Sequence, residues 1–290
     1  MMVYFLRKGF PMTVRPGKKN VPILMYHSIS QHATRKYKPF AVLPALFADH
    51  MAYLHQNAYT PITVTQFINT RAKGVSALPE RPVILTFDDG FADFFTDAFP
   101  VLQRYGFTAT LYVATAFVNG TSRWLHREGE AARSMLTWDQ LTKIITTGIE
   151  CGGHSHCHPQ LDTLPIVVAR DEIVQCKRLL ERHLDQEVSS FAYPYGYHTA
   201  AIKQLVREAG YSSACAVKYE MSSETTDPFA LARLMIKSST SVGTLAALLT
   251  QHHPSAVTAM YKRARVPVWR ITRRCLATVR QPLGGGLPYY

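Results

Sequence analysis

Apolar runs of strand length alternate with helical-period segments over most of the chain. Val21 to Ile29 is a β-rich run. Pro44 to Gln56 carries Leu46, Phe47, Met51 and Leu54 on a helical period, which predicts a helix, and a second helix follows Thr65. Pro82 to Phe87 predicts a strand. Ala92 to Tyr105 predicts a helix ending at Gly106, and Phe107 to Ala114 another strand. Thr137 and Gln140 have the spacing of a capping box, opening a helix that stops at Gly148. Ile149 to Gly153 is a short strand, Pro165 to His183 a long helix, Val188 to Tyr193 a strand and Ala200 to Ala209 a helix stopped by Gly210. Tyr211 to Val217 and Leu231 to Ile236 are the last strands. This alternation predicts an α/β fold of βαβ units with a mostly parallel sheet, and about seven strands suit a barrel, closed or incomplete.

In such folds reactive side chains gather at the C-terminal ends of the strands. Asp88 and Asp89, in Thr86-Phe87-Asp88-Asp89-Gly90, occupy that position. Two adjacent carboxylates closing a buried strand are costly unless a partner or a metal uses them. One on a metal and the other free to move a proton is the chemical reading; a solvated turn is the ordinary one. The strand Ile149 to Gly153 runs into His154-Ser155-His156-Cys157-His158. His154 and His158 can share one ion, and with Asp89 they make a set of two imidazoles and one carboxylate, suited to zinc with a position open for water. His156 and Cys157 are further candidates. Cys157 is disfavoured, because thiolates are more typical of closed structural sites. Phe191 to Gly196 carries a strand into a turn at Pro194 and Tyr195 that can aim a backbone N–H at a reacting oxygen. His27 ends the first strand, where an imidazole can act as acid or base near neutral pH.

Together, and in this order, TFDDG, HSHCH and FAYPYG resemble the polysaccharide deacetylase family, the NodB-homology domain or carbohydrate esterase family 4. The resemblance covers about residues 20 to 240 and is strongest to the poly-N-acetylglucosamine deacetylase branch. It implies a distorted (β/α)7 barrel, complete or incomplete, a divalent metal, commonly zinc, and hydrolysis of an N-acetyl group on an amino sugar. Carried over, Asp88 is the general base, Asp89, His154 and His158 hold the metal, and Tyr195 lends its N–H to the oxyanion. Two departures stand out. Ala192 occupies a position where many members carry an Arg that orients the catalytic Asp, and Arg233 is the candidate to replace it. The family's late Leu-x-His motif is missing, which makes His27 the candidate acid. Trp138 is similar to a recurrent segment of this branch and is expected in the core rather than as a wall of the site.

Charge adds one feature. The net charge is +12, yet the last acidic residue is Asp227, and nine Lys or Arg residues follow it. Without them 23 basic residues face 20 acidic ones, so the body is nearly balanced. Residues 267–281 read as a basic amphipathic helix, suited either to an anionic membrane surface or to packing on the domain. The chain therefore divides into an N-terminal arm (1–19), a deacetylase-like domain (20–240) and a basic helical extension (241–290). No transmembrane helix and no secretory signal are expected, and five unpaired cysteines suit a reducing compartment. From these features a cytoplasmic protein in peripheral contact with the inner membrane face is expected, acting on a lipid- or nucleotide-linked acetylated amino sugar, with a soluble chitooligosaccharide as the alternative. Specific nucleic-acid binding is not expected, since the tail's charge supports only nonspecific affinity. A silent carbohydrate-binding relative, a deformylase and an O-acetyl esterase are the competing classes.

Overall fold

The computed structural model describes residues 20–73, 77–217, 220–223 and 225–250. The arm 1–19 and the amphipathic segment 267–281 lie outside the described residues. Seven strands form the continuous path of the main sheet: β1 (Ile23–Tyr26), β2 (Pro82–Phe87), β3 (Thr110–Val113), β4 (Glu150–Gly153), β5 (Ser190–Ala192), β6 (Ser213–Cys215) and β7 (Leu234–Met235), and the short strand Thr60–Pro61 pairs with the start of β2 off that path. Their spatial order is β6-β5-β4-β3-β2-β1-β7, and every neighbouring pair is parallel. Leu231, just before β7, pairs in parallel with Cys215 of β6, while Leu234 pairs with Leu24 of β1. The last segment therefore touches both edges of the curled sheet.

Side-chain alternation along the strands sorts residues between two apolar clusters. Ile23, Ile84, Tyr112, Ala192, Cys215 and Leu231 pack together inside the curl. Leu24, Tyr26, Leu85, Phe87, Leu111, Val113 and Phe191 face outward into the larger cluster beneath the helices. Both faces are covered, so the six residues of β2 are all buried.

The helices are α1 (Pro44–Gln56), α2 (Val64–Lys73), α3 (Phe99–Tyr105), α4 (Trp138–Ile145), α5 (Ile166–Leu184), α6 (Ala200–Glu208) and α7 (Val242–Thr250). Thr137 and Gln140 make the reciprocal capping box expected of them. The helix predicted from Ala92 to Tyr105 is not continuous: a π-helical turn, Phe94–Ala98, precedes α3. Pro100 has no N–H to donate to the turn before it, which favours the wider turn at that point. Leu245 and Leu249 of α7 join the main core, and His50 of α1 bonds the Thr240 carbonyl. Among the described residues, packing on the main core continues to Leu249.

Candidate active site

The C-terminal ends of β1, β2, β4 and β5 deliver His27, Asp88 with Asp89, His154 and Tyr195 to one rim. Backbone bonds fix the loops that carry them. Asp88 N–H donates to the Tyr26 carbonyl (3.0 Å), and His154 N–H donates to the Val113 carbonyl (3.0 Å). Gly152 and Gly153 let aromatic rings close over β4 just before the histidines. A Cβ on Gly152 would lie 2.5 Å from the Tyr112 ring, and one on Gly153 would lie 2.3 Å from the Tyr211 hydroxyl. Asp89, Ser155, His158 and Tyr195 all have left-handed backbones, with φ of 79°, 63°, 58° and 59°. Such strain in non-glycine residues is costly and collects at functional sites.

Asp89, His154 and His158 converge, each buried, with their ligand atoms within 4.8 Å of one another. Asp89 Oδ1 lies 3.5 Å from His154 Nε2 and 3.1 Å from His158 Nε2. His154 Nδ1 donates to the Ala192 carbonyl at 2.7 Å, which fixes the proton on that nitrogen and turns the Nε2 lone pair inward. Burial pushes the His158 pKa down despite Asp89 beside it, whereas at His154 the carboxylates of Asp89 and Asp88 outweigh burial and raise it. Burial opposes ionisation of Asp89, but His158, His154 and His27 outweigh it and hold the carboxyl well below its usual range. Asp89 Oδ1 is buried with no hydrogen-bond partner among the described residues. An anionic oxygen facing two imidazole nitrogens is the donor set of a divalent cation. Bonds of about 2.0–2.2 Å in a tetrahedral arrangement imply donor separations of about 3.3–3.6 Å, and the carboxylate oxygen sits 3.5 and 3.1 Å from the two imidazole nitrogens. The residues fit a metal.

Asp88 has a different environment. Arg233, fully buried, donates from Nη1 to Oδ1 at 2.6 Å and from Nη2 to Oδ2 at 2.8 Å. Its other donors reach Thr86 Oγ1 and the Ala216 carbonyl, both at 3.2 Å. Burial raises the Asp88 pKa, but Arg233 and His154 outweigh it and keep the carboxyl ionised. Asp88 Oδ2 is 4.0 Å from His154 Nε2, so it borders the trio. The guanidinium comes from the closing segment next to β7, whereas Ala192 on β5 contributes only its carbonyl, to His154.

His27 is half-exposed, with its ring 5.4 Å from Phe40 and its Nδ1 buried without a partner among the described residues. Burial lowers its pKa, while Asp89 and Asp88 oppose the shift. The Tyr195 ring is 48% exposed and stands 4.8 Å from the His158 ring, so it forms the open lip of the site. His156 turns away to Thr115 Oγ1 (2.9 Å), and Cys157, its thiol pushed up to about 12 by burial, lies beside Glu172. Neither joins the trio. Trp138 starts α4 and stacks 4.0 Å from His183, partly buried against the core.

Two wall residues were not singled out from the sequence. The Tyr37 hydroxyl lies 3.5 Å from Asp89 Oδ2, and the Trp124 ring is 5.2 Å from His158. The available signal for Trp124 was the long stretch between β3 and α4, since long loops in compact domains are commonly functional.

The geometry agrees with what the chain is similar to. A family model described as polysaccharide deacetylase matches residues 76–214. YxkH of Bacillus subtilis (strain 168), assigned to the polysaccharide deacetylases, is 28% identical over 226 residues, 77% of this chain and 73% of that protein. The poly-beta-1,6-N-acetyl-D-glucosamine N-deacetylase of Escherichia coli (strain K12) is 23% identical over 219 residues, 65% of this chain. The match takes in only 32% of that longer relative. Among solved structures, Streptococcus pyogenes deacetylase PplD in complex with acetate superposes with a TM-score of 0.70 and 25% identity, over 81% of this chain and all of that one.

Proposed function

We propose that this chain, a member of the polysaccharide deacetylase family and a sugar N-deacetylase, removes the N-acetyl group of a GlcNAc-type sugar with a zinc ion held by Asp89, His154 and His158. The proposal rests on one observation: two adjacent carboxylates have opposite environments, Asp89 facing two imidazoles and Asp88 facing a guanidinium. A bound divalent ion would polarise the amide carbonyl and lower the pKa of water at the site.

The remaining steps fall to the protein. Asp88 takes a proton from the attacking water through Oδ2, the oxygen that borders the trio. Each carboxylate oxygen can accept a second hydrogen while Arg233 keeps the first, so the fork orients the base without blocking it. The backbone N–H of Tyr195 donates to the oxygen that gains charge. His27 hands its proton to the departing sugar nitrogen. The products are acetate and a free amine, which takes up a proton. Tyr195 at the lip and Trp124 on the wall supply flat apolar faces for a sugar ring, which suits a pyranose better than an extended peptide. The expected place of work is the cytoplasmic face of the membrane, on a lipid- or nucleotide-linked intermediate.

A screen of the zinc-loaded enzyme against free, nucleotide-linked and lipid-linked acetamido sugars tests this. Release of acetate and appearance of a primary amine in equal amounts is the expected result. No acetate from any acetamido sugar, with formate or O-acetyl release instead, would move the protein to a different hydrolase class.

A further inference from the structure

Charge around the mouth of the barrel is divided. The loops after β1, β3 and β7 carry exposed Lys36, Lys38, Arg123, Arg127 and Lys237. The only carboxylates on these three loops are Glu128, half-exposed, and Glu130, which is buried and paired with Arg133. Among the described residues no carboxylate pairs with any of the five cations. The facing loops after β4 and β5, residues 154–165 and 193–199, hold no Lys or Arg at all and present tyrosines and histidines instead.

These cations belong to one interlaced surface. Lys36 Nζ donates to the Arg127 carbonyl at 2.8 Å, and Thr34 Oγ1 donates to the Glu128 carbonyl at 2.6 Å, joining the β1 and β3 loops. Ser238 N–H donates to the Pro39 carbonyl at 3.2 Å, which brings the β7 loop alongside Lys38. The surface also abuts the site. Lys36 and Lys38 flank Tyr37, whose hydroxyl reaches Asp89, and Arg123 precedes Trp124, whose ring packs near His158. Like charges gathered without counter-ions on one side of a cleft raise the local concentration of an anion there. Asp88 is paired with Arg233, and Asp89 is buried against the two imidazoles of the trio.

We propose that the substrate is an acetamido sugar bearing a phosphate or diphosphate. The anion lies over the Lys36, Lys38, Arg127 and Lys237 half of the rim, and the uncharged sugar lies toward Tyr195. This deepens the deacetylase reading and rests on it. A nucleotide diphosphate and a polyprenyl diphosphate offer the same anion, and the two are separated by experiment.

The test uses the full chain as wild type, as Lys36→Glu/Lys38→Glu/Arg127→Glu/Lys237→Glu, and as the matching Gln variant. Inorganic pyrophosphate binding is measured by calorimetry on chelator-treated protein at low and high salt. Acetate release is measured from chitotetraose, from UDP-N-acetylglucosamine and from polyprenyl diphosphate N-acetylglucosamine in detergent. Wild type should bind pyrophosphate in a salt-sensitive way and prefer at least one diphosphate sugar over chitotetraose by about ten- to hundredfold in kcat/KM. Both effects should vanish in the Glu variant and weaken in the Gln variant, with chitotetraose turnover unchanged. The diphosphate sugar that is preferred identifies the source. Equal turnover of charged and uncharged sugars, with pyrophosphate binding absent or the same in all three proteins, overturns the proposal. Charge-dependent pyrophosphate binding without acetate from any sugar would keep the anion site and sink the deacetylase reading instead.

Discussion

Arg233 meets Asp88 as a two-pronged ion pair, with Nη1 2.6 Å from one carboxylate oxygen and Nη2 2.8 Å from the other. Both groups are buried. A buried pair of this kind contributes little net stability, but breaking it leaves an unpaired charge that costs about 3–5 kcal/mol. Arg233→Met should therefore lower the unfolding free energy by about that amount. It should also reduce kcat far more than KM, because the fork sets the angle of Asp88 rather than touching the sugar. Arg233→Lys keeps the charge and loses the fork, so it should recover most of the stability but little of kcat. Denaturant unfolding and steady-state kinetics on the same preparations separate the two effects. A KM defect with normal kcat would remove the orienting role.

The trio predicts a second set of outcomes. Asp89→Ala, His154→Ala and His158→Ala should each lose bound divalent metal, as read by elemental analysis. In wild type, chelation should lower the melting temperature and added zinc should restore it, since a ligand at about 100 times its Kd stabilises by about 2.7 kcal/mol. Unchanged metal content in all three variants would remove the site.

Gly153 gives a purely steric prediction. A methyl group there would sit 2.3 Å from the Tyr211 hydroxyl and 3.2 Å from Cys176 Sγ. Gly153→Ala should cost about 1–3 kcal/mol by overpacking and displace His154, the next residue, so metal affinity should fall with stability. Calorimetric melting with and without zinc checks both; a wild-type melting temperature would show that β4 and α5 can part without penalty.

Much of this site could be seen in the chain because its parts are local. Asp88 and Asp89 are adjacent, the histidines lie four residues apart, and each motif follows a strand that is apolar enough to recognise. Arg233 could be named only as a candidate, from the family resemblance and the arginine missing at Ala192. Its place on Asp88 depends on Leu231 and Leu234 pairing with opposite edges of the sheet, a long-range closure that no local pattern encodes. Tyr37 and Trp124 were hidden for the same reason, since loops have no period to announce which side chain faces inward. The turn at Phe94–Ala98 was missed because the apolar period continues through it, and only Pro100 hinted at a break.

His50 supplies a pH prediction away from the site. Its Nε2 donates to the Thr240 carbonyl at 2.8 Å, and its Nδ1 accepts from the Tyr26 hydroxyl at 3.1 Å, so the ring is buried and neutral. Burial lowers its pKa from 6.5, although the bond to Thr240 and the charge of Asp49 oppose the shift. The unfolded chain therefore takes up this proton at higher pH than the folded one. Stability should be flat in this respect above about pH 6.5 and fall as the pH drops below it, until the folded ring also protonates. His50→Gln should reduce that slope by up to about 1.4 kcal/mol per pH unit. Urea midpoints between pH 5 and 8 for both proteins measure it; parallel curves would mean that His50 titrates normally.

The division of labour between Asp88 and Asp89 is tested most directly by Asp88→Asn, with zinc content and acetate release measured on one preparation. Asparagine keeps the shape and cannot take the water's proton. The variant should retain the metal content of wild type while acetate release falls by about 10²- to 10⁴-fold. Wild-type-like turnover, or loss of the metal along with the activity, would contradict the assignment of Asp88 as base and Asp89 as ligand.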